Sequence, residues 1–372
     1  MHVPVQLLFM GSLLIASVAG AQVPSVKPLD IDLTDYQYPY PVQFITLTIQ
    51  GETLKMAYMD VKPANPNGHV IMLLHGKNFN GAYWGQTAAV LAENGYRVII
   101  PDQVGFGKSS KPLHLQYSFQ LLCQDTKAIL DSLGIQKIYL LGHSMGGMVA
   151  TRFALMYPET VEKFILENPI GLEDWKAKVP YQSVDVWYQS ELKQNYNSFK
   201  QYEQESYYHG TWKPEYDKLL EPEVGWTLSK DYNRIAWNSA LTYDMIFTQP
   251  VCYEFENIKA PTLLIIGQLD RTAMGKNLVT EDVRKTLGNY PVLGKLTHEK
   301  IKGSKILVIN ALQRQNHISH FTLDEAIAFA EEMGADKTYF THISHRLGKH
   351  EDIMKQLPLH IELAYDGLKL TI

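Results

Sequence analysis

The chain has 372 residues, of which 45% are hydrophobic and 20% are charged, as is usual for a globular protein with a sizeable core. This length allows one large α/β domain with an insertion, or two domains. The net charge of −5 does not indicate a nucleic-acid partner. The two cysteines, Cys123 and Cys252, are too far apart in sequence to suggest a disulfide framework or a metal-binding spacing.

The first residues are typical of an export signal. Residues 5–20 are apolar, and Ala19-Gly20-Ala21 before Gln22 has the small-residue pattern of a cleavage site, although residues 2–4 carry no Lys or Arg. A membrane anchor is the alternative, but the apolar run is short for a span. We therefore predict a signal peptide over residues 1–21 and a periplasmic or secreted protein that has no membrane partner after cleavage.

Strands and helices then alternate along the chain, after a lead-in over residues 24–41 that has no periodicity. A hairpin is predicted across Gly51-Glu52, buried strands over residues 70–74, 97–100 and 163–168, and helices over residues 82–94 and 117–133. This alternation predicts an α/β fold with a mostly parallel sheet and helices on both faces. Ligands bind at the carboxyl ends of the strands in such sheets, and His75, Phe106 and Ser144 are all predicted to lie at that edge.

The pentapeptide Gly142-His143-Ser144-Met145-Gly146 matches G-x-S-x-G and lies between a buried strand and an apolar-periodic helix. A serine on a sharp strand-to-helix turn has a strained backbone and an exposed hydroxyl, and glycines are needed two residues to either side. The N-terminus of the following helix points free N–H groups toward the charge that develops on an attacked carbonyl. Ser144 is therefore predicted to be a nucleophile.

Residues 71–81, 101–112 and 141–147 together resemble the α/β-hydrolase superfamily, in particular its capped members, and the resemblance extends over about residues 41–294. Those members include esterases, haloalkane dehalogenases, epoxide hydrolases, haloperoxidase-like enzymes and C–C hydrolases. The resemblance implies an oxyanion hole formed by two backbone N–H groups. The first is that of Lys77, with Asn78 as second choice, and the other is that of Met145. The alternative for Lys77 is a solvated surface lysine, and the implied role belongs to its N–H and not to its ammonium.

The resemblance also implies a domain order. The hydrolase core is expected over residues 22–171 and 256–301, with a helical cap inserted at residues 172–255. Tyrosines and tryptophans crowd the cap, and side chains with one polar tip suit a pocket roof that is dry on one side and wet on the other. Only a few of them are expected to contact substrate, because most would pack the cap's own core.

The order of the catalytic residues in this superfamily is Ser, Asp, His. Asp270 follows a buried strand at residues 262–266 and is predicted to orient the histidine. His317 follows the strand predicted at residues 305–309 and is predicted to be the general base, with His320 as the next candidate. The Gly-x-Gly that usually precedes this histidine is missing here.

From about residue 302 to residue 372 the chain resembles the C-terminal end of metallo-β-lactamase-fold hydrolases of the phosphodiesterase type. Only His342 matches a metal ligand of that family, and the H-x-H-x-D-H motif is missing, so no metal is expected. Strands over residues 306–309 and 337–341, a helix over residues 323–333 and a hairpin across Asp366-Gly367 are predicted, and the first strand and helix could complete the hydrolase sheet.

These observations predict a serine hydrolase without cofactors that acts on a small-molecule carboxylic ester through an acyl-enzyme. The serine argues against dehalogenase and epoxide-hydrolase chemistry, which use Asp at this position. Hydrolysis of a C–C bond, perhydrolysis, metal-dependent phosphodiester hydrolysis by the tail and an inactive binding protein are the alternatives. The sequence predicts no nucleic-acid partner and does not indicate the oligomeric state.

Overall fold

The structure, a computed structural model, describes residues 26–208, 210–267, 269–301, 306–315, 321–341, 343–366 and 368. The predicted signal peptide, His317, His320 and His342 lie outside these residues. Within the described chain no helix combines the length and the apolar character that a membrane span requires.

A ten-stranded sheet forms the centre of the molecule. Its strands are β1 (Val42–Ile49), β2 (Glu52–Val61), β3 (Val70–Leu74), β4 (Arg97–Pro101), β5 (Ile138–His143), β6 (Val161–Glu167), β7 (Thr262–Ile265), β8 (Ile306–Asn310), β9 (Lys337–Thr341) and β10 (Ile361–Leu363). They lie in the order β1-β2-β4-β3-β5-β6-β7-β8-β9-β10, antiparallel through β1, β2 and β4 and parallel from β4 onward. The predicted mostly parallel α/β sheet is confirmed.

Helices cover both faces of this sheet. They are α1 (Gly85–Glu93), α2 (Phe119–Ser132), α3 (Met145–Met156), α4 (Val184–Glu191), α5 (Tyr196–Ser206), α6 (Asp217–Thr227), α7 (Tyr232–Thr248), α8 (Glu281–Lys285), α9 (Tyr290–Lys300), α10 (Leu323–Met333) and α11 (His350–Met354). Met72 and Leu74 of β3 belong to one buried cluster, whereas Ile71 and Leu73 belong to another. Alternate residues of a strand point to opposite faces, so both faces are buried.

The segment between β6 and β7 is mostly helical and contains α4 to α7. A long N-terminal segment, residues 26–41, runs between these helices and the core. Leu29 N–H donates to Gly225 O of α6 at 3.0 Å, and Lys111 Nζ of the core donates to Ile31 O at 2.7 Å. The lead-in that shows no periodicity in sequence thus joins the helices between β6 and β7 to the rest of the fold through hydrogen bonds of its own N–H and C=O groups.

The C-terminal part adds strands to the same sheet. β8 pairs with β7 on one side and with β9 on the other, and β10 pairs with β9, all in parallel. Ile309, Leu323, Phe340 and Ile361 form part of a separate buried cluster there. The extra strands predicted for the tail are present, and the hairpin predicted across Asp366-Gly367 falls partly outside the described residues.

Candidate functional site

Ser144 sits on the turn that joins β5 to α3, with φ of 55° and ψ of −122°. This is the strained conformation that the pentapeptide predicts. A Cβ added to Gly142 would lie 2.3 Å from Gly146 O, and one added to Gly146 would lie 2.3 Å from Leu74 O. No real side chain tolerates such contacts with backbone atoms. Gly142 is therefore required for the strand to lie against the start of α3, and Gly146 for the turn to pack against β3.

A buried histidine shapes the loop after β3. His75 Nε2 accepts a hydrogen bond from the Gln103 N–H at 3.0 Å, so Nδ1 carries the proton and donates to Gly76 O at 2.8 Å. Burial lowers the pKa of His75 and keeps the ring neutral. A Cβ on Gly76 would lie 3.0 Å from Ser144 Cβ, so the loop that continues into Lys77 runs directly against the serine turn.

The side chain of Lys77 is not on the solvated surface, which was the alternative to a role for its N–H. Its ammonium donates to Ser239 Oγ at 2.6 Å and lies 3.5 Å from the ring centroid of Tyr243, and both partners belong to α7. Burial lowers the pKa of Lys77, while Glu191 and Glu223 raise it. The sequence carries no local signal for this contact, because α7 lies more than 150 residues away in the chain.

Asp270 lies on the loop after β7, two strands along the sheet from Ser144. Its Oδ1 accepts from the Thr272 N–H at 2.8 Å. Burial raises the pKa of Asp270, and the Thr272 hydrogen bonds, Arg271 and Lys276 oppose that effect. Asn168, with φ of 38°, accepts from the Gly267 N–H at 2.6 Å and so anchors the start of this loop to the end of β6, a role that sequence reasoning missed.

A cavity of about 780 Å³ opens above the serine turn. Ser144 and Lys77 line it, as do Leu269 and Arg271 on either side of Asp270. Met145, the first residue of α3, directly follows Ser144 and is fully buried. Five aromatic side chains from the segment between β6 and β7 also line the cavity: Trp175, Trp187, Tyr202, Tyr207 and Tyr243.

The structure thus gathers Ser144, Met145, Lys77 and the Asp270 loop at one sheet edge, while His317 lies outside the described residues. Two other histidines come near Ser144. Both ring nitrogens of His75 are engaged by backbone groups. His143 Nδ1 lies 3.0 Å from the Tyr83 hydroxyl, and burial lowers the pKa of His143 to about 4. A base that weak is poorly matched to abstracting a proton near neutral pH, so neither histidine suits the task.

In the part of the chain that the structure describes, no three His, Cys, Asp or Glu side chains are grouped as metal ligands would be. His342, which alone matches a ligand of metallo-β-lactamase-fold proteins, is not among the described residues.

The chain is similar to proteins of one family. The sequence model of the alpha/beta hydrolase fold family matches residues 69–282. A probable hydrolytic enzyme from Pseudomonas aeruginosa PAO1, known from its crystal structure, is 50% identical with a TM-score of 0.74, over 75% of this chain and 89% of that chain.

Curated relatives match shorter stretches. A 2-hydroxy-6-oxo-6-phenylhexa-2,4-dienoate hydrolase from Comamonas testosteroni is 28% identical over 42% of this chain and 59% of its own length. A fluoroacetate dehalogenase from Burkholderia sp is 37% identical over 26% of this chain and 32% of its own length. The chain thus spans 59% or less of the length of these relatives.

These comparisons do not support the resemblance of residues 302–372 to metallo-β-lactamase-fold hydrolases. The match to the hydrolase family covers more than half of the chain, and it includes β3, the serine turn, the segment between β6 and β7, and the Asp270 loop. The chain therefore belongs to the α/β-hydrolase fold family.

Proposed function

We propose that the protein is a serine hydrolase that cleaves a carboxylic ester through an acyl-enzyme. The strained turn that presents Ser144 to a cavity of about 780 Å³ is the observation that carries this proposal. A strained, glycine-flanked serine at the floor of a cavity is the arrangement that nucleophilic acyl transfer requires.

In the proposed first step, His317 takes the proton of the Ser144 hydroxyl as Oγ attacks the ester carbonyl. The carbonyl oxygen becomes an oxyanion and accepts hydrogen bonds from the N–H groups of Lys77 and Met145. Collapse of this intermediate breaks the C–O bond, and the leaving alcohol receives the proton from His317. Water then attacks the acyl-enzyme by the same route, and Asp270 orients and stabilises the charged imidazole in both steps.

Hydrolysis of a C–C bond is the second candidate, since the relative from Comamonas testosteroni is named as a dienoate hydrolase. Lys77, Arg271 and Lys276 line the cavity and could attract the carboxylate of such a substrate. The change in absorbance of a 2-hydroxy-6-oxo-dienoate substrate would measure the rate of this reaction directly. Faster turnover of the dienoate than of any ester would favour this candidate.

The proposal is tested by the turnover of p-nitrophenyl esters of several chain lengths. Ser144→Ala should lower kcat by on the order of a million-fold, because a triad nucleophile is lost. Ser190→Ala is the matched control, since Ser190 is exposed on α4 and lines neither the serine cavity nor the smaller chamber beside it. An organophosphonate probe should label the wild type and Ser190→Ala but not Ser144→Ala. Undiminished ester turnover by Ser144→Ala would refute the proposal.

A further inference from the structure

A second, smaller cavity of about 200 Å³ adjoins the serine cavity, and we call it the inner chamber. Lys77, Asn78, Tyr202 and Tyr243 line both cavities and therefore form the wall between them. The remaining wall of the inner chamber comes mainly from α4 to α7, the helices of the segment between β6 and β7. A substrate that reaches past these four residues from Ser144 would enter the inner chamber.

Two carboxyl groups face the inner chamber. Glu191, the last residue of α4, is only 8% exposed, and its carboxylate has no hydrogen bond or ion pair among the described residues. Glu223 of α6 also lines the chamber without such a partner in the described chain. A buried carboxylate without a donor is unfavourable, so these two acceptors are suited to a ligand that brings N–H donors.

The balance of charge in the inner chamber is also incomplete. Its cation is Lys77, and that ammonium is already directed to Ser239 Oγ and to the face of Tyr243. Burial, with the repulsion from Glu191 and Glu203, raises the pKa of Glu223 to about 8, against the opposing effect of Lys77 and Lys111. When Glu223 is ionised, two carboxylates against one ammonium leave a net charge of −1 in the chamber. A bound cation would neutralise this charge and favour the ionised form of Glu223.

The other walls are apolar or neutral. Phe199, Trp226 and Ile235 offer surface to a methylene chain, while Gln194 and Ser198 offer neutral polar groups. We infer that the inner chamber binds a primary ammonium group carried by an alkyl chain of the substrate, with Glu191 and Glu223 as its acceptors. This inference rests on the proposed function, because it places the ammonium on the same ester that Ser144 attacks.

The first test compares ethyl 6-aminohexanoate with ethyl heptanoate, which has a methyl group in place of the ammonium, and with ethyl 6-hydroxyhexanoate. The corresponding aminoalkanoates from four to eight carbons vary the reach into the chamber. The best amino ester should exceed its methyl isostere in kcat/KM by about tenfold or more, as expected for one charge-assisted hydrogen bond. An equal or greater rate with the methyl or hydroxyl analogue would overturn the inference.

Glu191→Gln and Glu223→Gln should each reduce this preference and leave the rate with ethyl heptanoate within about twofold of wild type, since the methyl group makes no hydrogen bond. Glu221→Gln is the matched control, because Glu221 lies on the same helix as Glu223 but is exposed. A loss that is equal for amino and methyl esters would mean that the carboxylates only support the fold. Because there are two substitutions in different helices, misfolding of one leaves the other to decide.

Calorimetry with n-hexylammonium provides a measurement that does not depend on catalysis. Wild type and Ser144→Ala should bind this cation more tightly than 1-hexanol, and Glu191→Gln should not. Binding should strengthen from pH 6.5 to pH 8.5, because the cation prefers ionised Glu223. Binding without any ester turnover would refute the proposed function but not the ammonium site. Ester turnover without ammonium binding would refute only the site.

Discussion

The carboxyl group of Asp125 on α2 is almost completely buried, with 4% of the residue exposed, and its Oδ2 has no hydrogen-bond partner in the described chain. Burial raises the pKa of Asp125 to about 7. The unfolded chain has a pKa of about 3.9 at this residue, so the folded protein retains a proton that the unfolded chain releases. The contribution that this retained proton makes to the free energy of unfolding is complete below about pH 4 and is lost as pH rises through about 7.

Asp125→Asn should therefore raise the free energy of unfolding at pH 8 by a few kcal/mol, and change it little at pH 4, where the aspartic acid is neutral. Urea unfolding of both proteins at the two pH values measures the difference. Asp131→Asn, on the exposed side of the same helix, should change the free energy by less than ~0.5 kcal/mol at either pH. An Asp125→Asn effect that is the same at both pH values would contradict the assignment.

At the residue scale, the sequence could predict those parts of the site that depend on neighbours in the chain. Ser144 and its two glycines lie within five residues, so their spacing alone describes the turn. The environments of Lys77 and Glu191 could not be predicted in this way. Each depends on packing against segments that are distant in sequence. Lys and Glu are usually exposed, so the residue types do not predict that these side chains are withdrawn from solvent.

At the element scale, β9 shows how the tail is attached to the molecule. Phe340 of β9 is fully buried, and β9 pairs with β8, which in turn pairs with β7 of the hydrolase core. Phe340→Ala should lower the free energy of unfolding by about 3–5 kcal/mol, as large-to-small changes in cores do. Leu359→Ala is the matched control, because Leu359 is 100% exposed and its loss should cost less than ~0.5 kcal/mol.

Tryptophan fluorescence is a suitable measurement, because all six tryptophans precede residue 302. If the tail unfolds together with the sheet, Phe340→Ala will lower the urea midpoint that these tryptophans report. A midpoint that stays unchanged while circular dichroism shows loss of structure would mean that β9 and β10 unfold separately.

The positions of the strands in the chain could be predicted because buried strands in parallel sheets are short apolar runs. The end of each element was harder to place. The helix predicted over residues 82–94 begins as a 3-10 turn at Gly81–Trp84 and becomes α-helical only at Gly85. The course of residues 26–41 was beyond prediction, since its partners Lys111 and Gly225 are far away in the chain and its own residues follow no period.

At the scale of the whole molecule, the candidate site requires groups from three distant segments. Ser144 follows β5, Asp270 follows β7, and the chain after β8 leaves the sheet at the same edge, because β7 and β8 are parallel. Gln313, shortly after β8, and Thr322, just before α10, form a bridge. His317 lies between these two residues in sequence, and the histidine of the proposed mechanism remains a prediction.

His317→Ala tests this prediction. A histidine that activates the nucleophile acts together with it, so its loss should lower kcat by on the order of a million-fold, as the loss of Ser144 should. The double variant His317→Ala, Ser144→Ala should be no slower than either single variant, because the effects of residues that act as a unit are not additive.

His320→Ala is the matched control and should retain the wild-type rate. Phosphonate labelling of Ser144 should also slow in His317→Ala, since the serine would lose its base. If His320→Ala loses the activity instead, the base is the neighbouring histidine. If both variants keep the wild-type rate, Ser144 does not obtain its base from the loop after β8.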